Sequence, residues 1–256
     1  MDKPDTRPHA LAEQIKIPAI TAAEMQHIDD ALMELGYNLL QLMENAGAAL
    51  SYLTTRYLTG DVSGKAITIL AGHGHNGGGG LVAARRLHAY GAHIQVLMPA
   101  GPSKPVTIHQ RRILEAMGVR VHDVSVLDEP SIQNIESADL LIDALVGYGL
   151  RDSLTGITAA LVTTVNRTNN PVISLDVPSG LSSDGDAFYQ PSIKATATMT
   201  LALPKIGLLV PHVQNLVGRL FLADIGVPPN LYSTISLSVP AIFHGKPYVA
   251  LNLLGR

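Results

Sequence analysis

Three short stretches of this chain carry side chains able to bind a ligand or move a proton, and each directly follows an apolar run. The first, Gly72-His-Gly-His-Asn-Gly-Gly-Gly-Gly80, follows Ala66–Ala71 and leads into Leu81-Val-Ala-Ala-Arg-Arg86. Six glycines between Gly72 and Gly80 let the backbone approach a ligand without intervening Cβ atoms. A helix start just beyond such a turn aims several N–H groups at one point. The second stretch is Asp143 followed by Val146-Gly-Tyr-Gly-Leu-Arg151, and the third is Leu175-Asp-Val-Pro-Ser-Gly180. Asn76 offers an amide oxygen, Asp143 a carboxylate and Ser179 a hydroxyl. These are hard oxygen donors, suited to a monovalent or hard divalent cation together with backbone carbonyls. Asp176 is a candidate general acid–base group and Arg151 a candidate anion clamp or charge partner.

Several other chemistries fit these residues poorly. Gly72, Gly74 and Gly77 satisfy G-x-G-x-x-G, but the next apolar run ends Val96-Leu-Met-Pro99, without the acidic residue a dinucleotide-binding dehydrogenase uses on the ribose. No Gly-Lys-Ser/Thr follows the glycines, so a P-loop is excluded. Val-Pro-Ser-Gly is not a G-x-S-x-G elbow, and none of the ten histidines has an evident seat beside Ser179. His73 and His75 form a lone H-x-H, too few ligands for zinc. The absence of cysteine removes disulfides, thiolate nucleophiles and Cys-ligated zinc together.

The residues must be positioned by a scaffold, and the patterning suggests which. Strands are expected at Ala66–Ala71, His93–Pro99, Val119–Val124, Leu140–Leu145 and Val172–Val177, with helices between them, the weakest near Gln133. Further strands are expected at Ala197–Leu203 and Leu220–Ile225, with little helix from Lys205 to Arg219. Strand–helix repetition with short connections implies an α/β fold with a mostly parallel sheet covered on both faces. In such a sheet ligands bind at the carboxyl ends of the strands, which is where all three polar stretches fall. Two helices precede the first strand. Thr21-Ala-Ala-Glu24 has a capping-box pattern with Ile20 and Met25 placed as a staple, and a second stripe runs through Met43, Ala46, Leu50, Leu53 and Tyr57.

At 256 residues, 46% of them hydrophobic, 15% charged and with a net charge of −3, the chain suits one large α/β domain or two small ones, and the lack of an internal repeat, linker or low-complexity tract favours one. Nothing suggests nucleic acid as a partner. No apolar run reaches the ~18 residues that span a bilayer, and a soluble, cytoplasmic protein is expected. Residues 1–17 read as a flexible tail, 18–256 as a single domain, and Leu231 to Arg256 gives no assignment.

Taken together, these strings resemble the YjeF N-terminal domain family, the NAD(P)H-hydrate epimerases and the apolipoprotein A-I-binding protein. The family's L-M-E-N-A-G is Leu42 to Gly47. Its glycine motif G-x-G-N-N-G-G-D-G followed by L-V-A-A-R-x-L corresponds to Gly72–Gly80 and Leu81–Leu87. D-A-L-x-G-x-G-L is Asp143 to Leu150, and L-D-x-P-S-G is Leu175 to Gly180. A-P-K-x-G-L-L appears as Leu203 to Leu209, and D-I-G-I-P-P as Asp224 to Pro229.

The resemblance implies a Rossmann-like three-layer αβα sandwich, often homodimeric, that interconverts the R and S forms of hydrated NADH or NADPH. It implies a potassium ion held by Asn76, Asp143 and Ser179. It further implies substrate contacts from His75, Asn76, Gly77, Gly78 and Gly79, from Gly147, Tyr148, Gly149, Leu150, Arg151, Asp152 and Ser153, and from Asp176. A separate ADP- or ATP-dependent dehydratase is expected to use the S form, the kinase-like dehydratase domain often fused behind this module not being expected in the stretch after Pro229.

The epimerised carbon carries a hydroxyl and the ring nitrogen, so loss of hydroxide assisted by the nitrogen lone pair gives a planar iminium that water re-enters from either face. Asp176 would protonate the departing hydroxyl and deprotonate the returning water. Asp176→Asn is therefore expected to abolish activity while leaving the melting temperature nearly unchanged. Two positions depart from the family pattern: Gly79 replaces an aspartate and His75 an asparagine. They give a second reading, a catalytically degraded module that binds a nucleotide or a protein partner.

Overall fold

The computed structural model describes residues 17–187 and 189–251. The chain enters through two helices whose first turns are closed by their own side chains. Thr21 Oγ1 accepts the Glu24 N–H at 3.1 Å and the Glu24 carboxylate accepts the Thr21 N–H at 2.7 Å, starting α1 (Ala22–Glu34). Asn38 and Gln41 make the same exchange at the start of α2 (Leu39–Tyr57). Each box satisfies helix-start donors that no backbone acceptor can reach.

Strands and helices then alternate as the patterning predicts: β1 (Ala66–Ala71), α3 (His75–Ala89), β2 (His93–Pro99), α4 (Pro105–Ala116), β3 (Val121–Val124), α5 (Glu129–Glu136), β4 (Leu140–Ala144), α6 (Gly156–Val165) and β5 (Val172–Leu175). Next come β6 (Ala197–Leu201), the single-turn α7 (Gln214–Val217), β7 (Arg219–Ala223) and β8 (Tyr248–Leu251). One sheet holds them in the order β3-β2-β1-β4-β5-β6-β7-β8, parallel except for β8, which runs antiparallel to β7. Alternate strand residues face opposite ways. Ile67, Ile69 and Ala71 therefore pack with Leu50 of α2 and Leu81 of α3, whereas Leu70 and Leu141 pack with Ile135 of α5 and Leu161 of α6. The result is the expected three-layer αβα sandwich. Helix α1 lies apart from these layers, joining Met25, Ile28 and Leu32 to Leu203, Leu222 and Leu231 near the β6–β7 end.

Two expectations need correction. The glycine stretch is not a loop, because α3 begins at His75 and takes in Gly77 to Gly80. Glycine costs a helix interior up to about 1 kcal/mol per residue relative to alanine, so packing must outweigh propensity here. A Cβ on Gly77 would lie 1.8 Å from the Gly72 carbonyl oxygen, and one on Gly80 would lie 2.5 Å from the Ala144 Cβ. The helix runs so close to β1 and β4 that no side chain fits between. The strands are also shorter than expected at their carboxyl ends. β5 stops at Leu175 because Asp176 adopts φ +68°, and β6 stops at Leu201 because Ala202 adopts φ +61°. Both are left-handed conformations that non-glycine residues seldom hold. The stretch after Pro229 forms a 3₁₀ turn (Pro229–Ile235) and then β8, which pairs on β7. The tail expected over 1–17 falls outside the described residues apart from Ile17.

Candidate active site

Strands β1 and β4 are neighbours although two βα units separate them in sequence. The strand order reverses there, and a sheet of this kind binds ligands in the crevice beyond its carboxyl edge at such a point. A cavity of about 640 Å³ opens at that edge, within the ~300–1,000 Å³ of small-molecule and cofactor sites. The turns after β1 (Gly72 to Asn76), β4 (Leu145 to Gly149), β5 (Asp176) and β6 (Lys205) form its base. Helices α1 and α2 supply a largely apolar wall with Met25, Met33, Leu42 and Met43.

The sharp turn at Asp176 sets its carboxylate into this cavity while the Asp176 N–H still donates to the Met199 carbonyl at 2.7 Å. Both oxygens are held. Oδ1 lies 2.6 Å from the Lys205 ammonium, a charge contact rather than an aligned hydrogen bond, and Oδ2 accepts the Tyr148 N–H at 2.9 Å. Lys205 is 0% exposed. Its ammonium also donates to the Leu201 carbonyl at 2.8 Å and sits 5.8 Å from the centre of the Tyr148 ring. A buried ion pair is tolerable only when its remaining donors and acceptors are satisfied, and Leu201 and Tyr148 do that here. Sequence reasoning noted Lys205 in a motif but gave it no role. The missing signal was spatial, since β6 lies next to β5 only in the folded sheet.

Tyr148 reaches further. Its hydroxyl donates to Asp29 Oδ2 on α1 at 2.6 Å, so one residue touches two cavity carboxylates from its two ends. Burial pushes the Asp29 carboxyl above the ordinary aspartate range, against the lowering effect of the Tyr148 hydrogen bond and the Lys205 charge. The Tyr148 hydroxyl is likewise pushed up, first by burial and then by Asp29. On the glycine-turn side, partial burial and then the nearby Lys104 charge hold the His75 pKa below the usual imidazole value.

The three proposed cation ligands do not stand alike. Asp143 and Ser179 are 0% exposed and bonded to each other. Asp143 Oδ1 accepts the Ser179 hydroxyl at 2.6 Å and the Leu145 N–H at 3.3 Å; Oδ2 accepts the Ser174 hydroxyl at 2.7 Å and the Ser179 N–H at 2.9 Å. Ser174 is there because it pairs with Asp143 across β4 and β5. Burial outweighs these hydrogen bonds and pushes the Asp143 carboxyl up. Asn76 lines the cavity instead, its Nδ2 donating to the Leu175 carbonyl at 3.3 Å.

Of the expected substrate contacts, His75, Asn76, Gly79, Gly147, Tyr148, Gly149, Arg151 and Asp176 line the cavity. Five others are not among its lining residues. Gly77 is packed against Gly72 and Gly78 against Met43 inside α3, Leu150 packs into the cluster under α5 and α6, and Asp152 and Ser153 are exposed. Gly79 leaves that part of the wall without a carboxylate, but Asp29 and Asp30 of α1 supply two elsewhere. Sequence reasoning left out α1 because its Asp29 follows no strand.

The model of the YjeF-related protein N-terminus family matches residues 39–207. An NAD(P)H-hydrate epimerase of Dehalogenimonas lykanthroporepellens is 39% identical over 228 residues, covering 88% of this chain and 89% of its own. A bifunctional NAD(P)H-hydrate repair enzyme of Moorella thermoacetica is 37% identical over 222 residues; the match covers 84% of this chain but 42% of that protein. The crystal structure of the yeast protein YNL200c superposes with a TM-score of 0.80 over 92% of this chain, at 23% identity, and supports the fold. On the strength of the matched segment and of relatives alike over most of its length, the chain belongs to the YjeF-related protein N-terminus family.

Proposed function

We propose that this chain is an NAD(P)H-hydrate epimerase, an isomerase that interconverts the R and S forms of hydrated NADH and NADPH. The observation that carries the reading is Asp176: a carboxylate clamped at both oxygens yet open to a nucleotide-sized cavity at the switch point of the sheet. A group fixed in this way can transfer protons to and from a bound hydroxyl without reorganising at the moment of reaction. The relatives named NAD(P)H-hydrate epimerase support the substrate class. Arg151, at the exposed rim, would meet the anionic part of the nucleotide. Loss of the hydroxyl gives the planar iminium and water returns to it; Lys205 and the Tyr148 N–H keep Asp176 aimed at that carbon.

A potassium ion fits the donor set of Asn76, Asp143 and Ser179. Asp143 is a wholly buried carboxylate whose partners are hydroxyls and backbone N–H groups, and an uncompensated buried charge is costly. The Ser179 hydroxyl and the Asn76 amide oxygen are hard ligands of the right kind. The ion would neutralise Asp143 and stiffen the turn that presents the Tyr148 N–H to Asp176.

The reading extends to a homodimer in the cytoplasm that hands the S form to a separate ADP- or ATP-dependent dehydratase. The relatives named as bifunctional repair enzymes, of which this chain spans about two fifths, favour such a pairing. Among the described residues no helix is long and apolar enough to cross a membrane.

The test is recovery of NADH from the R form in the presence of an S-specific dehydratase. Acceleration above the spontaneous rate is expected. None at micromolar protein would leave the binding-module reading, which the carboxylate-free Gly79 favours.

A further inference from the structure

Epimerisation through a planar cation has a requirement that Asp176 alone does not meet. The hydroxyl leaves from one face of the ring and water returns to the other, so a proton must be given on one face and taken on the opposite one. Asp176 is fixed at both oxygens, and its partner Lys205 shares the same wall. A ring tethered to a nucleotide cannot turn over freely in the cavity. A second proton-handling group has to stand across from Asp176.

The cavity offers few candidates. His73 is bonded to Ser103 at 2.8 Å, and it stands with His75 and Lys104 on the glycine-turn side. Arg151 is exposed, and Asp30 is exposed and accepts from Gln26 at 2.9 Å. Asp29 remains. It comes from α1 rather than from the sheet edge, it lines the cavity, and one oxygen is fixed by the Tyr148 hydroxyl at 2.6 Å. Its other oxygen accepts no hydrogen bond among the described residues. Tyr148 touches Asp176 with its backbone N–H and Asp29 with its hydroxyl, so one residue bridges two carboxyl groups that line the same cavity from different elements.

We propose that Asp29, held by the Tyr148 hydroxyl, is the second catalytic acid–base residue and serves the ring face opposite Asp176. The proposal rests on the epimerase reading. In one direction the Asp29 carboxyl gives its proton to the departing hydroxyl. The C–O bond breaks, the oxygen leaves as water with the bonding pair, and the nitrogen lone pair forms the C=N bond. Water then attacks the other face, forms the new C–O bond and yields its proton to Asp176. One proton has moved from Asp29 to Asp176, and exchange with solvent through the open cavity restores the starting state. The return direction exchanges the roles. The elevated pKa of Asp29, owed to burial and to the nearby Asp176 and Asp30 charges and opposed by Tyr148 and Lys205, suits a group that starts as the acid. Inverting glycosidases divide acid and base work between two carboxyl groups in the same way.

The experiment compares wild type, Asp29→Asn, Asp29→Glu and Asp176→Asn with the R and the S forms of hydrated NADH in ¹⁸O-water, following inversion and ¹⁸O entry separately. For Asp29→Asn, kcat for inversion should fall about 10²- to 10⁴-fold, the usual contribution of a general acid, with KM nearly unchanged. Asp29→Glu should recover part of the loss. Oxygen exchange without inversion should overtake inversion for the epimer whose hydroxyl faces Asp176, because Asp176 still serves its own face, and both should fall together for the epimer whose hydroxyl faces Asp29. Wild-type inversion by Asp29→Asn, or a change in KM alone, would overturn the proposal. A wild-type protein with no activity would overturn the epimerase reading instead. If Asp29→Asn melts below the assay temperature, Tyr148→Phe takes its place: a raised exchange-to-inversion ratio supports the assignment and an unchanged ratio refutes it.

Discussion

Two buried aspartates stand at the ends of adjacent strands, and they are partnered in different ways. Asp143, at the end of β4, is surrounded by hydroxyl and N–H donors and closed off from the cavity. Asp176, just past β5, faces a fully buried ammonium at 2.6 Å and opens on the cavity. The first arrangement ties two turns together: Ser179 is bonded both to Asp143 and to the Val146 N–H, fixing the β4 turn to the β5 turn. The second keeps a charged group available while holding its direction. A carboxylate satisfied by hydrogen bonds serves as architecture; one satisfied by a lysine and left open on one side serves chemistry.

The contrast can be broken most sharply at Asp176. Asp176→Asn is expected to lower turnover at least 10²-fold, the low end of general acid–base contributions, measured by dehydratase-coupled NADH recovery. It should also lower the melting temperature, contrary to the expectation from sequence, because Lys205 has no water to turn to when its counter-charge goes. Lys205→Met attacks the same pair from the other side. Removing one member of a buried pair costs about 3–5 kcal/mol, and a loss of that order in urea unfolding is expected.

Asp143→Asn should act on stability by less, roughly 1–3 kcal/mol for a buried donor left unpaired, since an amide cannot accept from all four donors. It should also erase any stabilisation by potassium relative to tetramethylammonium. The smallest effect is the pH dependence of that stabilisation in the unaltered protein. Burial raises the folded-state pKa of Asp143, so the folded chain binds this proton more tightly than the unfolded one. The resulting stability is present below the unfolded value and lost as pH rises through the folded one. A cation takes the place of the proton, so potassium should raise the melting temperature more at pH 8 than at pH 5. An equal gain at both would detach the ion from Asp143.

Much of this molecule could be foreseen from composition and spacing. The capping box at Thr21 and Glu24, the α/β alternation and the gathering of Asn76, Asp143, Asp176 and Ser179 at one edge of the sheet all follow from local pattern, because strand periodicity fixes where each polar residue falls along its strand. Gly77 to Gly80 read as a turn because glycine density indicates one unless neighbouring elements, here Gly72, Met43 of α2 and Ala144 of β4, come close enough to demand glycine within a helix. β8 was not anticipated, since a lone edge strand is defined by its partner β7 and not by its own four residues.

The succession of strands and helices and the chemical kinds of group at the strand ends are written along the chain, because hydrophobic period and side-chain type are local properties. Which groups share a space was left to the folding of the whole chain. It set Lys205 against Asp176, brought Asp29 across to Tyr148 and sealed Asp143 away. Charge pairing and burial depend on separations between residues distant in the chain, and those are fixed only when the sheet assembles and α1 docks beside it.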